Sequence, residues 1–279
     1  GSRVPQGGSG NVYKLRLKTD PQVLCALKLV PLHLQEGELG KFEQDVRLAY
    51  GHQHPNIMPL YDVCIKRMDS ASHVWQLCIF MHYADCGSLA TVCEQSGSKG
   101  LPVPFVCGVA VQMLEALSFL HATAHMCHRD LKPSNILIRS DGRVMMQDFG
   151  NSRQLDGTCR SMDTFVGCHF YMSPERLMAT SYTNKCDVWA LALILLESLV
   201  GCYPYDKERQ GQELNMMDLL SHIVEGEVPI HLLTALGVDA RVCDFLTRLL
   251  EKDQEERPSS QELLLSMHEA KRASRGEFE

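Results

Sequence analysis

The spacing of the apolar residues changes near residue 85, and this change constrains the fold more than any other feature of the chain. Before it, apolar residues come in short runs bounded by the turn signals of strands. The predicted strands span residues 11–18, 23–30, 57–66 and 74–81. One helical pattern lies among them, with its apolar residues at Leu39, Phe42 and Val46.

After the turn signal at 85–87, apolar residues recur at helical spacing almost to the end of the chain. The clearest row is Phe105, Val109, Met113, Leu117 and Leu120. Ser259 and Glu262 predict a capping box at the start of the last helix. The pattern predicts an α+β fold of two lobes, a small β-rich one followed by a larger α-helical one. We place the first lobe at 1–81, beginning partway into its first element, the hinge at 82–86 and the second lobe at 87–279.

The net charge and the hydropathy pattern exclude some classes of partner. The chain carries a net charge of −7 and has a sequence pI of about 5.9, which disfavours a general affinity for nucleic acid or anionic membranes. Its most apolar stretch, 188–200, is too short to span a bilayer and contains Glu197, so a buried helix fits better. No signal-peptide pattern is present. We therefore expect no nucleic acid or membrane partner, and a cytoplasmic or possibly nuclear location.

The twelve cysteines do not follow the spacing of a disulfide framework or of a metal site. They are scattered through apolar segments and include no C-x-x-C pair. Small buried thiols in a reducing compartment explain this distribution best. Metal binding is the weaker interpretation, because the sequence lacks ligand spacing.

The strongest chemical signal is the stretch His128-Arg129-Asp130-Leu131-Lys132-Pro133-Ser134-Asn135, followed thirteen residues later by Asp148-Phe149-Gly150. These stretches resemble the H-R-D-L-x-x-x-N and D-F-G segments of protein kinases. The resemblance implies that Asp130 accepts the hydrogen bond of the substrate hydroxyl and takes its proton, while Lys132 offsets charge on the γ-phosphate. It also implies that Asn135 and Asp148 hold Mg²⁺ against the phosphates of ATP.

Lys28 lies in an apolar strand pattern, in the stretch Ala26-Leu27-Lys28, which resembles the V-A-I-K segment of kinases. That resemblance makes Lys28 a ligand of the α- and β-phosphates. Its ion-pair partner is expected on the following helix, where alignment from residues 54–57 selects Asp45. Kinases usually have glutamate there. Glu43 is the alternative, but it lies about 200° around the helix from Asp45.

Residues 5–12, with the sequence PQGGSGNV, resemble the phosphate-covering glycine loop of kinases. Gly7 and Gly10 retain the backbone freedom that a close approach to phosphate requires. Pro5 stands where the first glycine is usual. Val12, together with Ala26, is expected to contact the adenine.

The resemblance to protein kinases extends from Gln6 to about Lys271. A narrower likeness lies in residues 164–177, TFVGCHFYMSPERL, which are similar to the T-F-V-G-T-x-x-Y-M-S-P-E-R-L stretch of MAP kinase kinases. Residues 81–89 also look like theirs. On this alignment Met81 gates the pocket behind the adenine, and the backbone from His82 to Ala84 binds the purine edge. Asp187 is expected to brace the catalytic loop, and Glu175 to pair with Arg257.

The resemblance implies a protein substrate, a MAP kinase that is phosphorylated on threonine and tyrosine, and an upstream activating kinase. The activating phosphates are expected on Thr164 and Thr158, with Ser161 between them. Two alternatives stay open. The first alternative is a pseudokinase that acts as a scaffold. It is favoured by Cys168, which replaces a threonine of the family, and also by Pro5 and Asp45. The second alternative is a Ser/Thr kinase that acts further upstream in the cascade.

Overall fold

The computed structural model describes residues 2–4, 11–18, 20–32, 38–51, 53–68, 75–148, 169–207 and 216–275. Within these ranges a few side chains are not described, and that of Asp45 is one of them. Gly7, Gly10, Thr158 and Thr164 lie outside the described residues. The roles predicted for these five residues therefore stay predictions.

The first lobe is built on an antiparallel sheet of five strands in the spatial order β1-β2-β3-β5-β4. The strands are β1 (Ser2–Val4), β2 (Asn11–Arg16), β3 (Leu24–Leu32), β4 (Leu60–Arg67) and β5 (Trp75–His82). The four predicted strands are confirmed as β2 to β5, with ends shifted by a few residues. The predicted helix is α1 (Leu39–Tyr50), which buries Val46 against the sheet side of the lobe.

The second lobe is mainly helical, so the expected α+β architecture is confirmed. Its helices are α2 (Leu89–Ser96), α3 (Val103–Ala122), α4 (Pro174–Leu177), α5 (Lys185–Val200), α6 (Pro204–Lys207), α7 (Met216–Val224), α8 (His231–Ala235), α9 (Ala240–Leu249) and α10 (Ser260–Arg275). A short antiparallel pair, β6 (Ile136–Ile138) and β7 (Val144–Met146), lies between α3 and α4 in the chain.

Helix α5 forms the centre of the second lobe, because nearly all of its side chains are buried. This confirms the buried helix predicted for residues 188–200. Helix α3 packs between α5 and α10 and is also in contact with β7. Within the described part of the chain, α3 is the one helix long and apolar enough to cross a bilayer by composition. It buries nine of its residues against these neighbours, so packing in a protein core accounts for its apolar character.

The capping box predicted at the start of α10 is confirmed. The Ser259 backbone N–H donates to Glu262 Oε2 at 2.7 Å, and the Glu262 N–H donates to Ser259 Oγ at 3.3 Å. Two of the backbone donors that a helix leaves unpaired at its first turn are thereby satisfied. The box sets the position at which α10 leaves the preceding loop and packs along α3.

Backbone hydrogen bonds tie the short β6–β7 pair to the hinge and to the first lobe. The N–H of Cys86, in the hinge, donates to the Ile138 carbonyl at 3.2 Å, and the N–H of Ile138 donates to the Gly87 carbonyl at 2.9 Å. Gly87 has a φ of +76°, a conformation that disfavours residues with a Cβ. The N–H of Met58, just before β4, donates to the Met146 carbonyl at 2.9 Å. This last bond joins β7, and with it the start of the D-F-G segment, to the first lobe.

Candidate active site

The catalytic loop brings Asp130, Lys132 and Asn135 together. Lys132 Nζ lies 2.9 Å from Asp130 Oδ2, and Asn135 Nδ2 donates to the Asp130 backbone carbonyl at 2.7 Å. Asp130 and Asn135 are buried, whereas Lys132 is partly exposed. The three predicted residues are therefore neighbours that hold one another in place.

The loop keeps this shape because Asp187, at the start of α5, accepts its backbone N–H groups. Asp187 Oδ2 accepts from His128 N at 2.7 Å, and Oδ1 accepts from Arg129 N at 2.9 Å. Arg129 has a φ of +66°, which costs free energy for a residue with a side chain and needs such support. The bracing role expected of Asp187 agrees with these contacts.

Burial by itself would raise the pKa of the Asp187 carboxyl, but hydrogen bonding and charge from His121 together with the His128 N–H lower it below its usual value. His121 Nε2 lies 2.9 Å from Asp187 Oδ2, and its Nδ1 lies 3.0 Å from Ser260 Oγ. No motif in the sequence marked His121 as a functional residue. Its only signal is a histidine in the last turn of an otherwise apolar helix, and such residues are common in protein cores.

Lys28 and Asp148 form an ion pair across the cleft between the lobes. Lys28 Nζ lies 2.6 Å from Asp148 Oδ2, and both side chains are largely buried. Burial alone would raise the pKa of the Asp148 carboxyl, but the Lys28 ammonium outweighs it and the net pKa is lowered. The backbone just before Asp148 is held by His128, whose Nε2 lies 2.9 Å from the Gln147 carbonyl. Asp148 is therefore ionised and aimed at the strand that carries Lys28.

The structure does not test the pairing predicted between Lys28 and Asp45, because the Asp45 side chain is outside the description. The alternative, Glu43, is engaged elsewhere. Its Oε1 accepts from Arg47 at 3.0 Å on the exposed side of α1. Glu43 is therefore paired with Arg47, and the choice of Asp45 over Glu43 stays a prediction.

The residues predicted to surround the adenine lie on adjacent strands and in the connection that follows them. Ala26 on β3 pairs in register with Met81 on β5, and both are buried. Val12 is partly buried on β2, opposite Lys28. The backbone of His82 ends β5, and Ala84 follows in the connection to α2. The His82 ring is turned to Tyr61, whose hydroxyl lies 2.7 Å from His82 Nδ1.

The donor set of the cleft fits a divalent cation of the magnesium class. Mg²⁺ prefers oxygen ligands and takes one or two carboxylates together with phosphate oxygens. Asp148 supplies an ionised carboxylate, and Asn135 uses its amide nitrogen on Asp130, which leaves its amide oxygen available for a cation. The ammonium of Lys28 lies beside this donor set, 2.6 Å from Asp148 Oδ2.

A buried ion pair anchors α4 to the base of the second lobe. Arg257 donates from both terminal nitrogens to Glu175, at 2.8 and 3.0 Å, and is fully buried. Its guanidinium carbon lies 5.2 Å from the centroid of the Trp189 ring. The pairing expected of Glu175 and Arg257 is therefore present in the fold.

Residues 1–268 match the protein kinase domain family. The chain belongs to this family, and it is a Ser/Thr or dual-specificity protein kinase. Family membership implies the use of ATP and of a divalent metal ion. The fold, the catalytic loop and the Lys28–Asp148 pair described above agree with that assignment.

Within the family, the chain is similar to MAP kinase kinases. It is 32% identical to mitogen-activated protein kinase kinase 1 of Arabidopsis thaliana, over 94% of this chain and 71% of that protein. It is 33% identical to mitogen-activated protein kinase kinase 1c of Physcomitrium patens, over 93% and 72% of the two chains. It is also 32% identical to dual specificity mitogen-activated protein kinase kinase 1 of Dictyostelium discoideum, over 76% of this chain and 31% of that protein.

Proposed function

We propose that this protein is a MAP kinase kinase, which transfers the γ-phosphoryl group of ATP to threonine and tyrosine in the activation loop of a MAP kinase. The similarity to MAP kinase kinases over more than nine tenths of the chain carries this proposal. The intact set of Lys28, Asp130, Lys132, Asn135 and Asp148 supports it as well. The scaffold alternative is less favoured, because pseudokinases are usually inactive through the loss of a residue that binds phosphate or metal, and this set of residues is intact here.

The geometry suggests what each residue does. A magnesium ion, when bound with ATP, supplies positive charge beside the phosphates. Asp148 and Asn135 would hold that ion through oxygen atoms, and Lys28, whose Nζ lies 2.6 Å from Asp148 Oδ2, would supply positive charge to the phosphates. Asp130 accepts the hydroxyl proton of the substrate. Lys132, which is 2.9 Å from Asp130 Oδ2, keeps that carboxylate oriented and offsets charge on the transferred group.

The test of the substrate is a kinase assay with purified candidate MAP kinases, in which the phosphorylated residues are mapped by mass spectrometry. Phosphate on both threonine and tyrosine of the activation loop is the expected result. The Asp130→Asn variant should be slower by at least ~10²-fold, the lower range for a positioned general base. Asp148→Asn should abolish transfer while the protein stays folded.

Other results would identify the alternatives. Phosphorylation of a MAP kinase kinase, with no action on MAP kinases, would place the enzyme further upstream. A parent protein that binds no Mg·ATP and phosphorylates no candidate would favour the scaffold. If both variants turned over as fast as the parent, the active-site assignment itself would be wrong.

We propose further that phosphorylation of Thr164 and Thr158 by an upstream kinase activates the enzyme. The support is a cluster of positive charge next to the catalytic loop. The guanidinium carbons of Arg129 and Arg176 lie 5.6 and 5.4 Å from the ring centroid of Tyr182. A phosphothreonine carries about −1.5 to −2 charge and can make one to three charge-assisted hydrogen bonds with such groups.

Mass spectrometry of protein treated with an upstream kinase tests this proposal, together with single and double alanine variants of Thr158 and Thr164. The double variant should not be activated. Full activation of that variant would refute the proposal, whereas loss of activation in Ser161→Ala alone would assign the site to Ser161. Phosphomapping of the parent before treatment is the control.

The described cysteines support the proposal that the protein works in a reducing compartment, the cytosol or the nucleus. All ten cysteines in the described part of the chain are free thiols, but only four are buried, and the expectation of buried thiols is wrong for the exposed Cys64, Cys86 and Cys107. Free thiols persist where the surroundings keep them reduced. Imaging of the tagged protein in its own cells is the direct test.

A further inference from the structure

Two cysteine thiols and a carboxylate meet directly behind the catalytic loop. Cys127 Sγ lies 3.5 Å from Cys186 Sγ and 3.2 Å from Asp187 Oδ2. Each of the three residues offers one ligand atom, and these atoms all lie within 4.8 Å of one another. Thiolates and a carboxylate are donors that zinc-class cations use in proteins. Cys127 and Cys186 have no part in the mechanism proposed above, whereas Asp187 holds the catalytic loop through the N–H groups of His128 and Arg129.

Both segments that carry these ligands are held in place by the fold. Cys127 directly precedes His128, whose N–H donates to Asp187, and Cys186 directly precedes Asp187 at the start of α5. Cys186 and Asp187 are buried, and Cys127 is partly exposed, which provides a path to solvent. The two cysteines are 59 residues apart in the chain. For that reason no ligand spacing was visible in the sequence.

The distances fit a shared cation better than a disulfide. Tetrahedral zinc with Zn–S bonds of about 2.3 Å and Zn–O bonds of about 2.1 Å places two sulfurs ~3.8 Å apart and a sulfur and an oxygen ~3.6 Å apart. The observed distances of 3.5 and 3.2 Å need an opening of only a few tenths of an ångström. A disulfide bond of about 2.04 Å would need the two sulfurs to approach by ~1.5 Å.

We propose that Cys127, Cys186 and Asp187 form a binding site for a thiophilic divalent cation of the zinc class. Binding releases the two thiol protons to solvent, and the cation replaces the Cys127 S–H that is directed at Asp187 Oδ2. A water molecule completes the tetrahedron on the exposed side. The two thiolates, the carboxylate and the dication together carry one negative charge, which faces the N–H groups of His128 and Arg129.

The protonation of the metal-free cluster is consistent with this site. Cys127 Sγ donates to Asp187 Oδ2 at 3.2 Å, so the Cys127 thiol carries its proton when no cation is present. A bound dication deprotonates the thiols that coordinate it. Because the cation joins the catalytic loop to α5, its binding should also raise the midpoint of thermal unfolding.

The test is a titration of chelator-treated, reduced protein with Co²⁺ alone, followed by Zn²⁺ alone. The expected result is a thiolate-to-cobalt charge-transfer band in the near ultraviolet, with the visible bands of tetrahedral cobalt, and loss of both when Zn²⁺ is added. Cobalt bound by the oxygens of Asp148 and Asn135 has no thiolate band, so the spectrum separates the two sites. Metal analysis should give one fewer zinc ion per chain in Cys127→Ala and in Cys186→Ser. Cys107→Ser, an exposed cysteine on α3, is the control and should bind as the parent does.

An unchanged thiolate band and zinc content in both Cys127→Ala and Cys186→Ser would overturn the proposal. So would a parent protein that shows no thiolate band, whether or not peptide mapping finds a Cys127–Cys186 disulfide in it. Cys186 is buried, so its variant requires a check of folding by circular dichroism. If it does not fold, Cys127→Ala alone decides the result, because Cys127 reaches solvent.

Discussion

Replacement of Glu175 by glutamine should destabilise the protein strongly at neutral pH. The Glu175 carboxylate accepts two hydrogen bonds from Arg257, at 2.8 and 3.0 Å, and both side chains are buried. Glutamine keeps one acceptor but turns an amide nitrogen toward the other guanidinium nitrogen. It also leaves the charge of Arg257 without a counterion in the protein interior. Breaking a buried pair in this way typically costs about 3–5 kcal/mol of the free energy of unfolding.

Arg257 keeps hydrogen bonds to the backbone carbonyls of Glu251, Lys185 and Lys252. These bonds satisfy part of the guanidinium, so we expect the lower part of that range, about 3 kcal/mol. Urea unfolding followed by tryptophan fluorescence measures the change, since Trp189 lies under the Arg257 guanidinium. The matched control is Arg241→Met, which removes an ion pair that is exposed to solvent. That variant should unfold at the same urea concentration as the parent.

The effect of Glu175 should depend on pH. Burial would raise the pKa of its carboxyl, but the hydrogen bonds and charge of Arg257 lower the pKa below the ordinary value of 4.5. The carboxylate therefore contributes stability above pH 4.5, and this contribution is lost as the pH falls through the lower pKa of the folded state. The difference in the free energy of unfolding between the parent and Glu175→Gln should become smaller below pH 4.5. Two results would refute this account of the ion pair. One is a difference in unfolding free energy that does not change with pH, and the other is equal stability of the two proteins at pH 7.

Three further changes test other parts of the structure. Ser259→Ala removes half of the capping box with Glu262 and should cost about 1 kcal/mol in urea unfolding; no change would mean that water replaces the cap. Asn56→Ala removes two hydrogen bonds of 2.8 Å, to the Val144 carbonyl and a glutamine side chain, and should cost about 1–3 kcal/mol. A smaller loss in the free energy of unfolding would show that these two hydrogen bonds contribute little to stability. Asp45→Glu should leave kinase activity unchanged or raise it, and a large loss would mean that another carboxylate pairs with Lys28.

Much of the fold was predictable because its signals are local. The paired strands β2 and β3, the helix α3 and the capping box of α10 depend on residues within a few positions of one another. The catalytic loop is likewise one contiguous stretch, so Asp130, Lys132 and Asn135 could be proposed together. Their close contacts follow from the backbone of that loop and from the Asp187 carboxylate that holds it.

The contacts that join distant segments could not be obtained in the same way. His121 gave no signal, because a histidine in an apolar helix has many possible partners until α3 and α5 are packed. The contact of Lys28 with Asp148, 120 residues away, gave no local signal either, and the pairing of Lys28 with Asp45 of α1 stays a prediction.

The sequence by itself determined the order of strands and helices, the two-lobed kinase fold and the set of residues suited to phosphoryl transfer. Only the tertiary structure placed Lys28 against Asp148 and brought His121 to Asp187. It also brought Cys127 to Cys186. The physical reason is that hydrophobic periodicity and turn residues act over a few positions. The approach of segments 59 or 120 residues apart depends on how the strands and helices of the whole chain pack together.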